Sequence, residues 1–312
     1  MGKEFYQYLF LFAHPQFFCN IGPMEKGDYK VLLFYKFVVL ENPEKIRDEQ
    51  KAFCESHGIK GRVLIGKEGI NGTLEGTISA TDAYKKWMHE NALFSDMPIK
   101  ESKGTGEAFP KLKVKVRPEI VTLGSVELDV KNETAQEITA EEFDALYEND
   151  DDFVVLDLRN DFEVASGYFE KTIDPKLRHF RDLPAKLKEM EHLKDKKVVT
   201  VCTGGIRCEK ATCLMKREGF NNIYQLKDGI HTYMDKFPGK RWKGTLFVFD
   251  NRMTTDVAEI VPEKEVVGTC AYCNISTENY YNDDSVAPSR KVLACDPCYE
   301  VRKEELRLPV SI

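Results

Sequence analysis

Val198-Val-Thr-Val-Cys-Thr-Gly-Gly-Ile-Arg-Cys208 is the stretch on which the predicted fold depends. Its first four residues are apolar or β-branched, as in a buried strand, and the residues from 209 to 219 are rich in helix formers and end in glycine. A strand, a glycine loop and a helix therefore place Cys202 where the carboxyl edge of a sheet meets a helix N-terminus. Backbone N–H groups at that position favour negative charge, so the pattern predicts a thiolate nucleophile. The alternative is a buried structural cysteine.

The patterns on either side of this stretch predict an α/β domain. Its predicted elements are, in chain order, a helix from the capping box Thr139-x-x-Glu142, a strand over Phe153–Asp157, a helix over 183–193, a strand over 222–226 and a helix over 229–235. Alternating strands and helices of this length predict a parallel sheet that is covered on both faces. In such a sheet the reactive site lies at the carboxyl ends of the strands, where Cys202 falls.

The first third of the chain predicts a separate α+β domain. Its predicted elements are strands over 29–40, 62–65, 69–74 and 112–116, and helices over 42–57 and 82–92. Asn42-Pro43 begins the first helix, with Asn42 as the N-cap and proline at the first helical position. The order β-α-β-β-α-β is ferredoxin-like, with two helices on one face of an antiparallel sheet.

Two segments belong to neither predicted domain. The stretch 124–137 is polar and without clear periodicity, which indicates a linker. Residues 1–23 are aromatic and apolar but are interrupted by glutamine, histidine and proline. They are too short and too interrupted for a membrane span, and they lack the smooth apolar core and cleavage site of a signal peptide. We expect an extension of unknown role there and no membrane association.

Composition limits the class of protein. The 312 residues suggest about two domains with an appendage, and a mean hydropathy of −0.42 indicates a soluble globular chain. A net charge of −7 argues against a surface coated by nucleic acid, but it leaves room for a local basic patch. Nine cysteines, grouped rather than spread, favour a reducing cytoplasm over a disulfide framework.

Paired cysteines near the end of the chain predict a metal site. Cys270-x-x-Cys273 and Cys295-x-x-Cys298 supply four thiolates, the ligand set of structural zinc. A zinc ion would order a tail whose interior is polar. The alternative is two disulfides or a vacant site.

Two basic groups are candidates for RNA contact. Lys240, Arg241, Trp242 and Lys243 form a cationic cluster with a tryptophan for base stacking. The residues Lys111, Lys113, Lys115 and Arg117 share one face of a predicted strand, where they bind RNA or merely protect a sheet edge.

The cysteine loop carries further candidate residues. Its backbone amides and the Arg207 guanidinium can hold an anion, and the anion-binding loop is taken as Thr203, Gly204, Gly205, Ile206 and Arg207. The arginine lies one position too early for a Cys-x5-Arg phosphatase. Cys208 either resolves an oxidised Cys202 or packs inward, and these two interpretations stay open. Asp157 either orients the loop or Arg159, or caps the following helix.

These residues resemble the rhodanese homology domain over about 137–237. The matching segments are the D-x-R signature in Leu156-Asp-Leu-Arg159, then Glu163 and Gly167, the active loop Val201–Arg207, and the glycine turn Leu226-Lys-Asp-Gly-Ile230. The resemblance implies a rhodanese-like parallel α/β fold with a loop cysteine as its active residue.

The chain as a whole resembles a narrower group, the rhodanese-type tRNA uridine hydroxylases. The segments that carry this resemblance are Gly66-Lys-Glu-Gly-Ile-Asn-Gly72, Phe109-Pro-Lys-Leu-Lys-Val-Lys-Val-Arg117, Glu119-Ile-Val-Thr-Leu-Gly124, Gly244-Thr-Leu-Phe-Val-Phe-Asp-Asn-Arg252 and the paired cysteines. The resemblance implies an oxidoreductase that uses molecular oxygen to hydroxylate carbon 5 of the wobble uridine, position 34, of tRNA. It also implies that Cys202 is essential. Many family tails carry additional cysteines between the outer pairs, and this one does not.

We therefore expect a tRNA uridine hydroxylase without a flavin or nicotinamide motif. The expected domains are an extension over 1–23, a ferredoxin-like domain over 24–124, a linker over 125–136, a rhodanese domain over 137–243 and a cysteine-rich region over 244–312. The alternatives are a sulfurtransferase that carries a persulfide on Cys202 and a non-catalytic tRNA- or partner-binding module.

Overall fold

The computed structural model describes residues 28–124, 127–255 and 265–308, so the extension predicted over 1–23 lies outside the described residues. The first domain consists of one five-stranded sheet and two helices. Its elements are β1 (Tyr29–Phe37), α1 (Pro43–Ser56), β2 (Lys60–Gly66), β3 (Gly69–Thr77), α2 (Ile78–Glu90), β4 (Ile99–Lys103) and β5 (Leu112–Val116). Helix α1 begins as predicted, because the Asn42 side chain accepts a hydrogen bond from the Lys45 backbone N–H.

The strand order β4-β1-β3-β2-β5 is a ferredoxin-like sheet with one extra strand. The prediction took β5 as the final strand of that plan and missed β4; both points were wrong. Strand β4 reads Ile-Lys-Glu-Ser-Lys, which has no apolar alternation, and it forms because β1 offers it a free edge. Strand β5 adds to the other edge, parallel to β2.

The two faces of this sheet have different partners. Leu32, Phe34, Val63 and Ile65 are buried against the two helices. The alternate residues of the same strands point to the opposite face, which is turned toward the second domain. That face closes the cavity described below.

The second domain is the expected parallel α/β sheet. Its elements are α3 (Val130–Glu133), β6 (Gln136–Ile138), α4 (Ala140–Glu148), β7 (Phe153–Asp157), α5 (Asp161–Val164), β8 (Gly167–Phe169), β9 (Thr172–Ile173), α6 (Leu183–Leu187), β10 (Lys197–Val201), α7 (Ile206–Arg217), β11 (Ile223–Leu226) and α8 (Gly229–Lys236). The sheet order is β6-β11-β10-β7-β9, all parallel, and α4 begins with the predicted capping box at Thr139.

Two predictions in this domain need correction. The helix expected over 183–193 ends at Leu187 and continues as a 3-10 turn, with a kink at Met190. The segment expected to be a linker over 125–136 contains α3 and the start of β6, because its few apolar residues pack onto the second domain. A three-residue strand has too few residues to show a period in the sequence.

The C-terminal region packs against the second domain. Its elements are β12 (Trp242–Gly244), β13 (Leu246–Phe247), β14 (Thr254–Thr255), β15 (Tyr280–Asp283), β16 (Arg290–Leu293), α9 (Asp296–Val301) and β17 (Leu306–Arg307). Strand β12 pairs with β8, and Tyr280 donates a hydrogen bond from Oη to the Phe162 backbone oxygen at 2.5 Å. In the described part of the chain, no helix combines the length and the apolar character that a bilayer crossing requires.

Candidate active site

Cys202 follows β10 directly and is buried at the N-terminal end of α7. Gly205 has a φ of 102°, a left-handed conformation that turns its backbone N–H back toward the cysteine. That N–H donates to the Cys202 Sγ at 3.2 Å. Gly229 packs so closely beneath the loop that a Cβ there would lie 2.6 Å from the Cys202 backbone oxygen. The two glycines therefore hold a compact loop with its amides aimed at the sulfur.

The surroundings of the Cys202 thiol favour the thiolate. Burial acts to raise its pKa, but a hydrogen bond from the Cys208 thiol, the Arg207 charge and the backbone N–H groups of Arg207 and Cys208 outweigh it. The pKa of Cys202 is lowered from 9.0 to about 5. Burial and the neighbouring sulfur raise the pKa of Cys208. At neutral pH the pair therefore consists of an anionic Cys202 and a neutral, hydrogen-bond-donating Cys208.

Cys208 packs inward, and its role as a resolving thiol stays a prediction. It is fully buried in the domain core, and its sulfur contacts that of Cys202. Both sulfurs are free thiols in this structure. Cys213 and Cys54 are also buried and are part of the packing of their domains.

Arg207 does not have the free guanidinium that the loop pattern predicted. Its Nη1 and Nη2 donate to the two carboxylate oxygens of Glu163 at 2.6 and 2.9 Å, and Nη2 also donates to the Thr203 hydroxyl at 3.3 Å. Glu163 is fully buried and Arg207 is 7% exposed. A guanidinium with this partner acts on the thiolate through its charge, and three of its five N–H donors are engaged by Glu163 and Thr203.

Asp157 orients Arg159 and does not cap the following helix. Its carboxylate accepts from Nε and Nη2 of Arg159, the latter at 2.6 Å, and both side chains are completely buried. The guanidinium lies 5.1 Å from the centre of the Trp242 ring and donates to the Gly167 backbone oxygen at 2.7 Å. This pair braces the strand ends beneath the cysteine loop.

The contact between Arg159 and Trp242 bears on the RNA-binding cluster predicted at 240–243, most of which is engaged within the protein. Trp242 is buried and its Nε1 donates to the Gly244 backbone oxygen, so its ring is not free to stack on a base. Lys240 pairs with Asp144 and Glu148. Arg241 pairs with the same two acids, with its shortest contact, 2.6 Å, to Glu148, while Lys243 is exposed. Folding brings acids from helix α4 onto this cluster, and the local sequence does not show them.

The open face of the first domain's sheet covers the cysteine loop and forms a cavity with it. The cavity has a volume of about 440 Å³. Side chains from both domains line it, among them Leu33, Tyr35, Arg62, Asn71, His179, Arg181, Cys202, Thr203, Arg207 and Phe249. Cys202 is thus fully buried by protein yet borders an open cavity the size of a ligand pocket.

Polar contacts fasten the two domains across this cavity. Tyr35 donates from Oη to the Glu209 carboxylate at 3.1 Å. Lys100 donates to the Gly204 backbone oxygen at 2.9 Å and pairs with Asp228 at 3.2 Å. Burial, opposed by the Tyr35 hydrogen bond, raises the pKa of Glu209 from 4.5 to about 7. The interface therefore places a titrating carboxyl in the first turn of α7, where it interacts electrostatically with the Cys202 thiolate.

Arg62 is the cation that sequence analysis missed. It lines the cavity from β2, and no carboxylate or hydrogen-bond acceptor pairs with it among the residues that the structure describes. Burial lowers its pKa from 12.5. A signal was present, because Arg62 alternates with the core residues Val63 and Ile65 and must point to the other sheet face. The sequence of β2 does not indicate that the cysteine loop of the second domain lies opposite that face.

The four C-terminal cysteines come together as a candidate metal centre. The sulfur atoms of Cys270, Cys273, Cys295 and Cys298 all lie within 4.8 Å of one another. They have the number and kind of ligands that tetrahedral zinc takes, and none of them is in a disulfide. The arrangement fits a metal ion held by these four thiolates.

Three family models match successive parts of the chain. A UPF0176 acylphosphatase-like domain matches residues 29–120, a rhodanese-like domain matches 139–236, and a rhodanese C-terminal region matches 243–306.

Curated relatives match most of the chain. A tRNA uridine(34) hydroxylase of Staphylococcus aureus strain bovine RF122 / ET3-1 is 42% identical over 86% of this chain and 85% of its own length. The protein of the same name from strain MRSA252 is 41% identical over the same shares. Among solved structures, a rhodanese-related protein from Thermoplasma volcanium is 29% identical and covers 33% of this chain and 93% of its own, with a TM-score of 0.27.

Proposed function

The chain belongs to the family of tRNA uridine(34) hydroxylases, and we propose that it hydroxylates carbon 5 of the wobble uridine through a thiolate at Cys202. The single observation that supports this role best is the loop geometry: three backbone amides, the Arg207 charge and the Cys208 thiol all stabilise one buried sulfur anion. The cavity beside it is large enough for a nucleotide.

The net reaction replaces the C5–H bond of uridine by C5–OH. One atom of molecular oxygen enters the product, and the other leaves as water with two protons and two electrons from an external two-electron reductant. We propose that the thiolate adds to C6 of the uracil ring. Addition moves the C5–C6 π electrons toward C5 and O4, so that C5 becomes the electron-rich carbon that oxygen must join. Loss of the C5 proton afterwards restores the double bond and expels the thiolate.

Other residues hold the substrate and protect the sulfur. Arg62 is placed to pair with the phosphate of the target nucleotide, the anion-binding role that the loop pattern gave to Arg207. The sheet face with Leu33 and Tyr35 excludes bulk water from the thiolate. Cys208 is the thiol that would condense with a sulfenic acid on Cys202, with release of water, if oxidant reached the sulfur.

The tail would hold a structural zinc ion through Cys270, Cys273, Cys295 and Cys298. Such an ion supplies a tetrahedral cross-link between two chain segments. We propose no part for it in the chemistry at Cys202.

The experiment measures 5-hydroxyuridine-derived nucleosides by mass spectrometry in tRNA from cells that lack this protein. The cells are complemented with wild type, Cys202→Ala or Cys213→Ala, the last being a matched control: a buried cysteine on the helix that follows the loop, which does not line the cavity. We expect restoration by wild type and Cys213→Ala but not by Cys202→Ala. Restoration by Cys202→Ala would remove the thiol from the chemistry. Failure of wild type, combined with thiosulfate:cyanide sulfur transfer by the pure protein, would favour the sulfurtransferase alternative.

A further inference from the structure

A second cavity of about 390 Å³ adjoins the one that contains Cys202. The two share Asn160, His179 and Phe249 as lining residues, so they form neighbouring compartments of one depression. The second compartment is completed by residues of the C-terminal region, chiefly Asn282, Ser289, Arg290 and Lys291. Its volume lies within the roughly 300–1,000 Å³ of ligand-binding clefts.

The second cavity is rich in positive charge, although the chain as a whole is acidic. Arg178, Arg290 and Lys291 line it, and among the described residues that line it Asp161 is the one carboxylate. Burial raises the pKa of Asp161 from 3.8, which reduces its tendency to carry charge. Arg290 contacts the Asp283 carboxylate at 3.4 Å, and Arg178 donates to the Pro288 backbone oxygen at 2.8 Å.

Lys291 is the cation most poorly satisfied in this cavity. Within the described ranges 28–124, 127–255 and 265–308 it has no carboxylate partner, and its only hydrogen-bond contact is a 3.4 Å approach to the Asn282 amide oxygen. Burial lowers its pKa from 10.5. A partly buried cation that lacks a counter-ion has a strong preference for an anionic ligand.

An aromatic ring stands between the two compartments. Phe249 lines both, is partly exposed, and has the Arg207 guanidinium 5.9 Å from its ring centre on the catalytic side. Proteins that bind single-stranded RNA combine such a ring, on which a base stacks, with cations that pair with the phosphates.

We propose that the second cavity binds the nucleotide next to the target uridine, with a phosphate at Lys291 and Arg178 and a base against Phe249. This inference rests on the proposed function, since it assigns the neighbour of a uridine that is held at Cys202. It also gives the cysteine-rich region a role in substrate binding. Strand β16 carries Arg290 and Lys291 and ends at Leu293, two residues before Cys295, so the four-cysteine centre fixes the strand that presents these cations.

The test compares two ligands and three variants. The ligands are a labelled anticodon stem-loop RNA with a wobble uridine, and uridine 5′-monophosphate, a single nucleotide that can fill only one cavity and that we expect in the cavity that contains Cys202. The variants are Lys291→Gln, Arg178→Gln and the control Lys303→Gln, an exposed lysine paired with Glu300 on α9 and outside both cavities. Thermal melting verifies folding; Lys291→Gln should not destabilise the protein, because it removes a partly desolvated charge.

We expect Lys291→Gln and Arg178→Gln each to weaken stem-loop binding about 5- to 20-fold and to reduce the slope of log K against log salt by about 1. Affinity for uridine 5′-monophosphate should stay within about twofold of wild type, as should both affinities of Lys303→Gln. Wild-type stem-loop affinity and salt slope in Lys291→Gln and Arg178→Gln would overturn the subsite. So would an equal loss of affinity for the mononucleotide, because it would place these cations in the first cavity.

A separate measurement distinguishes failure of the subsite from failure of the proposed function. Wild-type protein that binds the stem-loop but forms no hydroxylated uridine, in the presence of oxygen and a reductant, would refute the proposed chemistry. Wild-type protein that hydroxylates the stem-loop, with Lys291→Gln equally active at subsaturating RNA, would refute only the second subsite.

Discussion

Arg207 and Glu163 form a two-point ion pair beneath the cysteine loop, with N–O distances of 2.6 and 2.9 Å and neither residue more than 7% exposed. The pair fixes a positive charge near the Cys202 sulfur, and Glu163 already balances that charge while it and Thr203 engage three of the five N–H donors. The loop arginine therefore stabilises the thiolate, and because Glu163 balances its charge, an unpaired cation is the better partner for the substrate's phosphate.

Removing Arg207 should destabilise the protein. In Arg207→Gln the buried Glu163 carboxylate loses its counter-charge, and we expect the free energy of unfolding to fall by about 3–5 kcal/mol. Urea denaturation followed by far-UV circular dichroism measures this. The double variant Arg207→Gln with Glu163→Gln should recover part of the loss, since it removes the uncompensated charge. A single variant as stable as wild type would contradict the assignment.

Removing Arg62, unlike removing Arg207, should not destabilise the protein. Burial already disfavours its charge, and no described residue pairs with it, so Arg62→Gln should leave the free energy of unfolding unchanged or slightly higher. It should raise KM for the RNA substrate about tenfold or more through the loss of one charge-assisted phosphate contact. Steady-state kinetics on an anticodon stem-loop provide the measurement, and Lys60→Gln, an exposed neighbour on β2, is the control. An unchanged KM would remove Arg62 from the substrate site.

The elements that could be predicted from the sequence are those whose signal is local. Phe153–Asp157 and Leu112–Val116 have the same bounds in the structure as in the prediction. An uninterrupted apolar or alternating pattern indicates both that a segment is a strand and which of its residues share a face. Ile99–Lys103 was missed because its strand conformation is imposed by pairing with β1. The position of Leu112–Val116 in the sheet was missed because edge order depends on tertiary contacts.

In the candidate site, too, the sequence reveals local features but not the contacts between distant residues. The cysteine and its glycine loop are contiguous, so one stretch of sequence reveals them. Glu163 reaches Arg207 from 44 residues away, and Tyr35 reaches Glu209 from 174 residues away. These partners decide whether a charge is free or neutralised. For this reason the sequence placed the anion-binding cation at Arg207 and an RNA contact at Trp242, and both residues have other partners in the fold.

Alkylation of Cys202 should follow a titration near pH 5. Its pKa is lowered from 9.0 to about 5, so the reactive thiolate predominates above that pH and declines below it. The rate of modification by iodoacetamide, measured by mass spectrometry of the tryptic peptide, should rise through pH 5 and level off well below pH 7. Cys213, whose pKa burial raises to about 11, is the internal reference that should stay unmodified.

The variant Cys208→Ala tests the cause of this low pKa. It removes the thiol that donates to Cys202, so the midpoint of alkylation should move upward, whereas Cys213→Ala should leave it in place. A wild-type rate that keeps rising to pH 9 would show an ordinary thiol and would contradict the loop's role.

The cysteine-rich region should bind one zinc ion per chain. Four thiolates within 4.8 Å predict tight tetrahedral binding, so elemental analysis of the purified protein should find about one equivalent. Cys298→Ser should lower this content and weaken RNA binding by loosening β16, while the Cys202 alkylation profile stays as in wild type. Cys213→Ser is the matched control. Full RNA affinity in a metal-free Cys298→Ser protein would show that the centre does not position Lys291.

Glu209 should make stability depend on pH. Burial raises its pKa from 4.5 to about 7 in the folded state, so between these values the folded protein holds a proton that the unfolded chain has lost. The free energy of unfolding must therefore fall as pH rises from 4.5 to 7. The loss should be on the order of 2–3 kcal/mol when partial solvent screening is allowed for, and it should be complete above pH 7.

The variant Glu209→Gln isolates this effect. Its amide oxygen can still accept the Tyr35 hydrogen bond, but it cannot titrate. Measured by urea denaturation at a series of pH values, the variant should gain stability relative to wild type steadily from pH 5 to pH 7.5. Glu218→Gln, an exposed carboxylate at the end of the same helix, should run parallel to wild type. A difference between Glu209→Gln and wild type that does not change with pH would show that Glu209 is ionised throughout, and that the interface with Tyr35 holds a permanent charge beside the thiolate.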